Sequence, residues 1–358
     1  MASPVMPRPF DAVLVVAFGG PERIEDIRPF LANVLRGRRV PGERVEEVAK
    51  HYELFDGRSP LTEITRRQAE GLRVRLKDAG IDLPVYVGMR NWHPLLSDTL
   101  AVMARDGVRR AIGVICAAHR SYSSCTQYRQ NVNDARGEAV GAGLRDVQVT
   151  YVSDWHTHDG FVGANARHIV SALRTLSPDL REVARIVFTA HSIPESMTGA
   201  ARYRDQLLES ARLVAARAGS SDWALVFQSR SGRPEDPWLG PDVTGYLRAE
   251  RAAGLEAAVL CPIGFVCDHI EVLYDLDHEA AEVCEQIGLP MVRALAVNDD
   301  PAFLETLRDA AIDTWRRYER GTPLTIAPSS PPERIEGPAP SSSRRSTESP
   351  PSSPGNPG

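Results

Sequence analysis

The stretch "LEAAVLCPIGFVCDHIEVLYDLDHEA", residues 255–280, joins two unlike halves. Through Phe265 it is a largely apolar run of strand length, the pattern of a strand buried in a parallel sheet. Beyond it, Glu271, Asp275 and Glu279 recur with His269 and His278 beside them. Positions i, i+4 and i+8 share one helix face, so the three carboxylates form a row. A charge run is ordinarily a solvated face. Here the row begins directly after a buried strand, and Ile270, Val272, Leu273, Tyr274 and Leu276 cover much of the rest of the helix. Like charges at this spacing destabilise a helix by roughly a few tenths of a kcal/mol each. A cation that passes or rests there offsets the repulsion, and oxygen donors with histidine suit Fe²⁺, Mn²⁺, Zn²⁺ or Mg²⁺.

The same rhythm of strand and helix runs along the chain. Strand candidates fall at 12–20, 84–90, 109–119, 146–155, 184–194, 224–230 and 255–265, separated by helical patterns such as "LTEITRRQAEGLRVRLKDAG" (61–80). That alternation predicts βαβ units and parallel sheets. Seven strands fit two doubly wound sheets better than one. The expectation is an α/β protein of two Rossmann-like domains, 1–150 and 151–321, with a cleft between them. The last helix, 301–321, is placed to pack back on the first domain. From Thr322 the sequence turns Pro/Ser-rich and nearly devoid of apolar residues, which predicts a disordered tail over 322–358.

Composition narrows the function classes. With 358 residues, 42% of them hydrophobic, the chain can bury an ample core. A net charge of -5 argues against nonspecific nucleic-acid binding. No apolar run reaches the ~18 residues that span a bilayer, and the N-terminus lacks signal-peptide features. The five cysteines, Cys116, Cys125, Cys261, Cys267 and Cys284, are odd in number and scattered. Free thiols in a reducing compartment follow, hence a cytoplasmic location.

In open α/β sheets ligands bind at the carboxyl ends of strands. Those ends here are polar: "FGGPE" (18–22), "AAHRSYSSCTQYRQN" (117–131), "TAHSIPESM" (189–197) and "QSRSGRPEDPWLGPD" (228–242). His191 ends an apolar strand; it is a satisfied core histidine, a general base or a metal ligand. Arg36, Arg38 and Arg39 form a basic segment that could clamp carboxylates, or a plain surface loop. Tyr122, Tyr128 and Arg129 interleave rings with a cation, which suits a flat anionic ligand or simply packs a helix start. No GxGxxG, P-loop, HExxH, CxxC or GxSxG pattern occurs, which removes the easiest nucleotide and hydrolase readings.

Taken together, "AFGGPE", "FLANVLRGR", "HYELFDGRSPLTEITRRQA", "FTAHSIP", "QSRSGRPEDPWLGPDV" and "CPIGFVCDHIEVLYDLD" make the chain resemble the ferrochelatases, which insert Fe²⁺ into a porphyrin. They stand in the family's order over about residues 10–320. The resemblance implies a chelatase-like fold with the porphyrin in the cleft. It implies His191 and Glu271 as catalytic residues and a metal line of His191, Glu271, Asp275 and Glu279, with His119 near an outer metal position. It implies porphyrin contacts from Phe18, Arg36, Ser59, Tyr128 and Trp238. Phe18 stands where some relatives carry a metal-facing tyrosine.

The wording "SYSSCTQY", "FTAHSIP" and "QSRSG" resembles the actinobacterial branch. That branch implies coproporphyrin III as substrate rather than protoporphyrin IX. Many of its members hold a [2Fe–2S] cluster on a cysteine matching Cys125 and three C-terminal cysteines. Here no cysteine follows Cys284. Such a cluster needs four ligands, so no tightly bound cofactor is expected, with Fe²⁺ as substrate and a downstream haem-pathway enzyme as partner. Rival readings are a chelatase for another tetrapyrrole, a haem- or metal-binding module without turnover, and a metallohydrolase.

Overall fold

A computed structural model describes residues 8–37, 40–231, 235–322 and 325–326. Nine strands are present among them: β1 Ala12–Ala17, β2 Val85–Met89, β3 Arg110–Ile115, β4 Gln148–Tyr151, β5 Ala184–His191, β6 Trp223–Gln228, β7 Ala257–Cys261, β8 Met291–Arg293 and β9 Thr325–Ile326. They form two sheets, ordered β2-β1-β3-β4-β9 and β6-β5-β7-β8. Every pairing is parallel except β4 with β9.

The seven strands read from the sequence all occur, each shorter than its apolar run. The runs overshoot because apolar residues continue into several of the loops beyond the strand ends, where Ala118, Val152, Trp155, Ile193 and Ile263 are buried. β1 and β7 are buried at every residue, as continuous apolar strands must be when helices cover both faces. β8 and β9 were not anticipated. The disordered-tail reading is corrected at its start: Thr325 and Ile326 pair antiparallel with Tyr151 and Thr150. Residues 323–324 and 327–358 of that reading lie outside the described residues, as do Arg38 and Arg39.

Both sheets repeat one order, with the second strand on one side of the first and the third on the other. Each therefore has a switch point at the carboxyl ends of its two central strands, β1/β3 and β5/β7. The two sheets also share apolar core: Val13, Val15, Ile112 and Val114 belong to one cluster with Ile186, Phe188, Val259 and Cys261. Burying each such side chain contributes ~1.5–3 kcal/mol.

The helix Pro301–Glu319 packs against both Leu61–Asp78 and Asp159–Leu173. Pro301 suits the first helical position, where no amide donor is needed, and Asp300 Oδ1 caps the start by accepting from the Ala302 N–H at 2.8 Å. Gln68, in the helix Leu61–Asp78, donates through Nε2 to the carbonyls of Val266 and Asn298 at 2.9 and 2.8 Å. These bonds fasten the first sheet's helix layer to the loops leaving β7 and β8.

Candidate active site

β5 ends at His191, and β7 runs into the loop that carries the acid row. His191 Nε2 lies 3.8 Å from Glu271 Oε2, with the two side chains 35% and 40% exposed. His191 Nδ1 lies 2.5 Å from the Ser192 carbonyl. A carbonyl can only accept, so Nδ1 carries a proton, and Nε2 is the ring nitrogen left facing Glu271. The His191 carbonyl accepts from the buried Tyr203 hydroxyl at 3.2 Å. Ser192 is held from both sides, its amide donating to the Gln228 carbonyl at 2.8 Å and its hydroxyl to the Leu239 carbonyl at 2.7 Å.

The acid row sits on an unusual helix. Ile270–Val272 is α, Leu273–Ala280 is π, and Ala281–Gln286 is α again. The uniform α-helix implied by the spacing is thus corrected to a π segment, whose i→i+5 bonds are rare and concentrated at functional sites. His269 caps its start, Nδ1 accepting from the Glu271 N–H at 3.2 Å. Asp268 braces the turn before it by accepting from Arg293 Nη1 at 2.8 Å and Asn298 Nδ2 at 2.7 Å.

Asp275 is the most perturbed member of the row. Its carboxylate accepts from Gln228 Nε2 at 3.1 Å and from the Ser229 hydroxyl. Burial, with repulsion from Glu271 and Glu279, outweighs those bonds and raises its pKa to about 7. Glu279 is exposed at the far end, and its pKa is raised by partial burial and by Asp242. Gln228 Nε2 also donates to the Glu271 carbonyl at 3.2 Å, so one amide holds two steps of the row. Among the described residues, no three His, Cys, Asp or Glu side chains group so as to hold a metal ion. The carboxylates form a line and not a cage.

The first sheet packs against the turn that starts the row. β1 is followed by Phe18 and then Gly19 at φ 86°, where a Cβ would stand 2.9 Å from the Trp92 amide nitrogen. Phe18 packs in clusters that include Ile270 and Cys267 from beyond β7, and Phe30 and Trp92. Arg90, immediately after β2, lies 5.7 Å from the Phe18 ring centre and 5.3 Å from that of Tyr128. Tyr128 is buried, and its hydroxyl pKa is raised mainly by that burial, with Glu271 among the charges acting on it. Across the two halves, His51 stacks on Tyr274 with ring centres 3.6 Å apart.

The remaining expected residues take varied places. Ser59 is buried against Gly20, its hydroxyl accepting from the Leu61 N–H at 3.4 Å. Arg36 is exposed and donates to Asn33 Oδ1 at 2.6 Å. Trp238 bridges to Pro194 beside the His191 loop, with its buried Nε1 unpaired. His119 is separately buried among Phe161, Tyr203 and His156, and none of the row's carboxylates is its partner. Its Nε2 lies 3.0 Å from Ser210 Oγ. That hydroxyl already donates to the His156 carbonyl at 2.9 Å, so His119 Nε2 is the donor. Burial, then His156, lowers its pKa to about 3. Arg90 and Gln228 had no individual role in the sequence reading. Their signal was nevertheless present, since each stands at or just after a strand's carboxyl end.

The family model described as Ferrochelatase matches residues 10–314.

The chain belongs to the ferrochelatase family.

It is 43% identical over 343 residues to the coproporphyrin III ferrochelatase of Streptomyces griseus, covering 90% of this chain and 92% of that one. It is 46% identical over 300 residues to a ferrochelatase of Rhodopirellula baltica, covering 84% of each. Among solved structures it resembles SirB from Bacillus subtilis with Fe³⁺ at a TM-score of 0.51 and 12% identity, over 86% of this chain and 98% of that one. It also resembles the sirohydrochlorin chelatase SirB of Bacillus subtilis subspecies spizizenii in complex with cobalt, at 0.50 and 8%, over 88% and 99%. At such identities the likeness is one of fold: this ferrochelatase has a chelatase-like architecture.

Proposed function

We propose that this ferrochelatase inserts Fe²⁺ into coproporphyrin III, yielding iron coproporphyrin for haem biosynthesis. The observation that carries the chemistry is His191 Nε2 lying 3.8 Å from Glu271 Oε2, with Nδ1 held by the Ser192 carbonyl, where the carboxyl ends of β5 and β7 converge. Metalation must remove two pyrrole protons and bring a dehydrating cation to the ring face. His191 Nε2 accepts a departing proton, and Glu271 stabilises the resulting imidazolium. Asp275, with a pKa of about 7, exists in both protonation states near neutrality and passes protons toward exposed Glu279. The same row guides the incoming substrate metal. Phe18, Tyr128 and Arg90 form the surface against which the macrocycle lies.

The substrate choice is supported by the names of close relatives and by charge. Coproporphyrin carries four carboxylates and protoporphyrin two, and arginines such as Arg36 and Arg90 favour the more anionic ring. We infer a cytoplasmic setting, with the product passed to a later haem-pathway enzyme. In support, the five cysteines are free thiols, and no helix among the described residues is long and apolar enough to cross a membrane. The test is anaerobic absorption spectroscopy with Fe²⁺ and each porphyrin. Faster metalation of coproporphyrin III is expected. A clear preference for protoporphyrin IX would overturn the substrate, and no metalation of either would overturn the activity.

A further inference from the structure

A second polar pocket lies at the carboxyl ends of β3 and β4, beneath the π segment Tyr122–Thr126, and none of the acid-row residues lines it. Its volume is about 30 Å³, more than one water needs, which is ~10–15 Å³. Arg120, Cys125, Arg129, Tyr151, Ser153 and Asp154 supply its polar lining.

The charges do not balance. Asp154 is the sole carboxylate among the lining residues, and it is already engaged. It pairs with Arg120 and with Arg202 at 3.0 Å, and accepts from Gln206 Nε2 at 3.2 Å. Arg129 lies 4.7 Å over the Tyr151 ring and makes no ion pair among the described residues. Its Nε–H is buried without a partner. Tyr151 is only 2% exposed, and its hydroxyl is likewise unpaired. Arg129 as a whole is only partly buried, but its Nε–H and the Tyr151 hydroxyl are buried, and buried polar groups are nearly always satisfied. Two unspent donors with excess positive charge call for a ligand that only accepts.

We propose that this pocket binds a small monovalent anion, of the size of chloride, nitrate or formate, held by Arg129 Nε–H and the Tyr151 hydroxyl. The sequence reading had joined Arg129 with Tyr128 toward one flat ligand. In the structure, Tyr128 meets Arg90 and Phe18 while Arg129 turns to Tyr151. An anion here would anchor the first turn of the helix Gln127–Gly141, one residue from Tyr128. The inference does not depend on the identity of the porphyrin.

Crystals of the full chain soaked in bromide give the direct test by anomalous scattering. A bromide peak within hydrogen-bonding reach of Arg129 Nε and Tyr151 Oη is expected. Ordered water there, or bromide only at other surfaces, overturns the proposal. In solution, melting temperature is followed at constant ionic strength while gluconate, too large for the pocket, is replaced by chloride, nitrate or formate. A saturable rise of a few degrees is expected in the native chain, with the anion giving half-saturation at the lowest concentration marking halide or carboxylate as the preferred source. Arg129→Gln should abolish the saturable part, and Tyr151→Phe, which keeps the ring, should weaken it several-fold. No saturable rise in the native chain, or an equal one in Tyr151→Phe and Arg129→Gln, sinks the idea.

Discussion

His191 and Glu271, from the ends of different strands, meet with Nε2 and Oε2 3.8 Å apart. The Ser192 carbonyl holds Nδ1, so Nε2 is the ring nitrogen that faces Glu271. A ring rotated by half a turn would lose that bond and put Cε1 where Nε2 now faces Glu271.

Replacing His191 with Ala should therefore lower the metalation rate by at least ~10²-fold, the usual contribution of a positioned general base. Porphyrin affinity, followed by spectral titration, should stay within a few-fold of the native value. Near-native turnover in this variant would remove His191 from the mechanism.

Asp275 makes stability depend on pH in a defined direction. Its pKa rises from an ordinary 3.8 to about 7 on folding. Protonated Asp275 is tolerated best by the fold, so its contribution is full below about 4 and is lost as pH rises through about 7. Asp275→Asn removes this dependence. Its melting temperature, relative to the native chain, should climb between pH 4 and pH 8 and then level. The variant should also lose the limb of the metalation pH profile near 7.

Arg90 lies over both Phe18 and Tyr128. Arg90→Ala removes a cation–π partner worth about 0.5–2 kcal/mol at such positions. Its proposed contact to a porphyrin carboxylate is lost as well, so porphyrin KM should rise by roughly tenfold or more, with a smaller change in kcat. A fall in kcat alone would show that Arg90 acts on the chemical step instead.

Gly264 lies where the loop after β7 passes the end of β5. A Cβ there would stand 2.7 Å from the Ala190 Cα and 2.5 Å from its Cβ, one residue before His191. Backbone cannot yield as a flexible side chain can. Gly264→Ala should destabilise the protein by about 1–3 kcal/mol, as overpacking does, and should lower metalation more than porphyrin binding. Unchanged melting and activity would mean that the two strand ends are not tightly coupled.

The amino-acid sequence determined the parallel-sheet architecture, because strands buried on both faces must be apolar along their length, as in "AVLVVA" and "AAVLC". It also marked His191 and the carboxylate row, because polar groups placed directly after buried strands break the pattern. Short edge strands escaped it: β8 has three residues and β9 two, too few to carry a period. The π segment escaped because side-chain spacing does not report which carbonyl each amide reaches. Only the tertiary structure decided the partnerships. Packing of β5 between β6 and β7 brings His191, Gln228 and Glu271 together, and the helix carrying Tyr128 and Arg129 sends these neighbours to different partners, Arg90 and Tyr151. Those contacts depend on strand order and helix rotation, which long-range burial selects and no local pattern encodes.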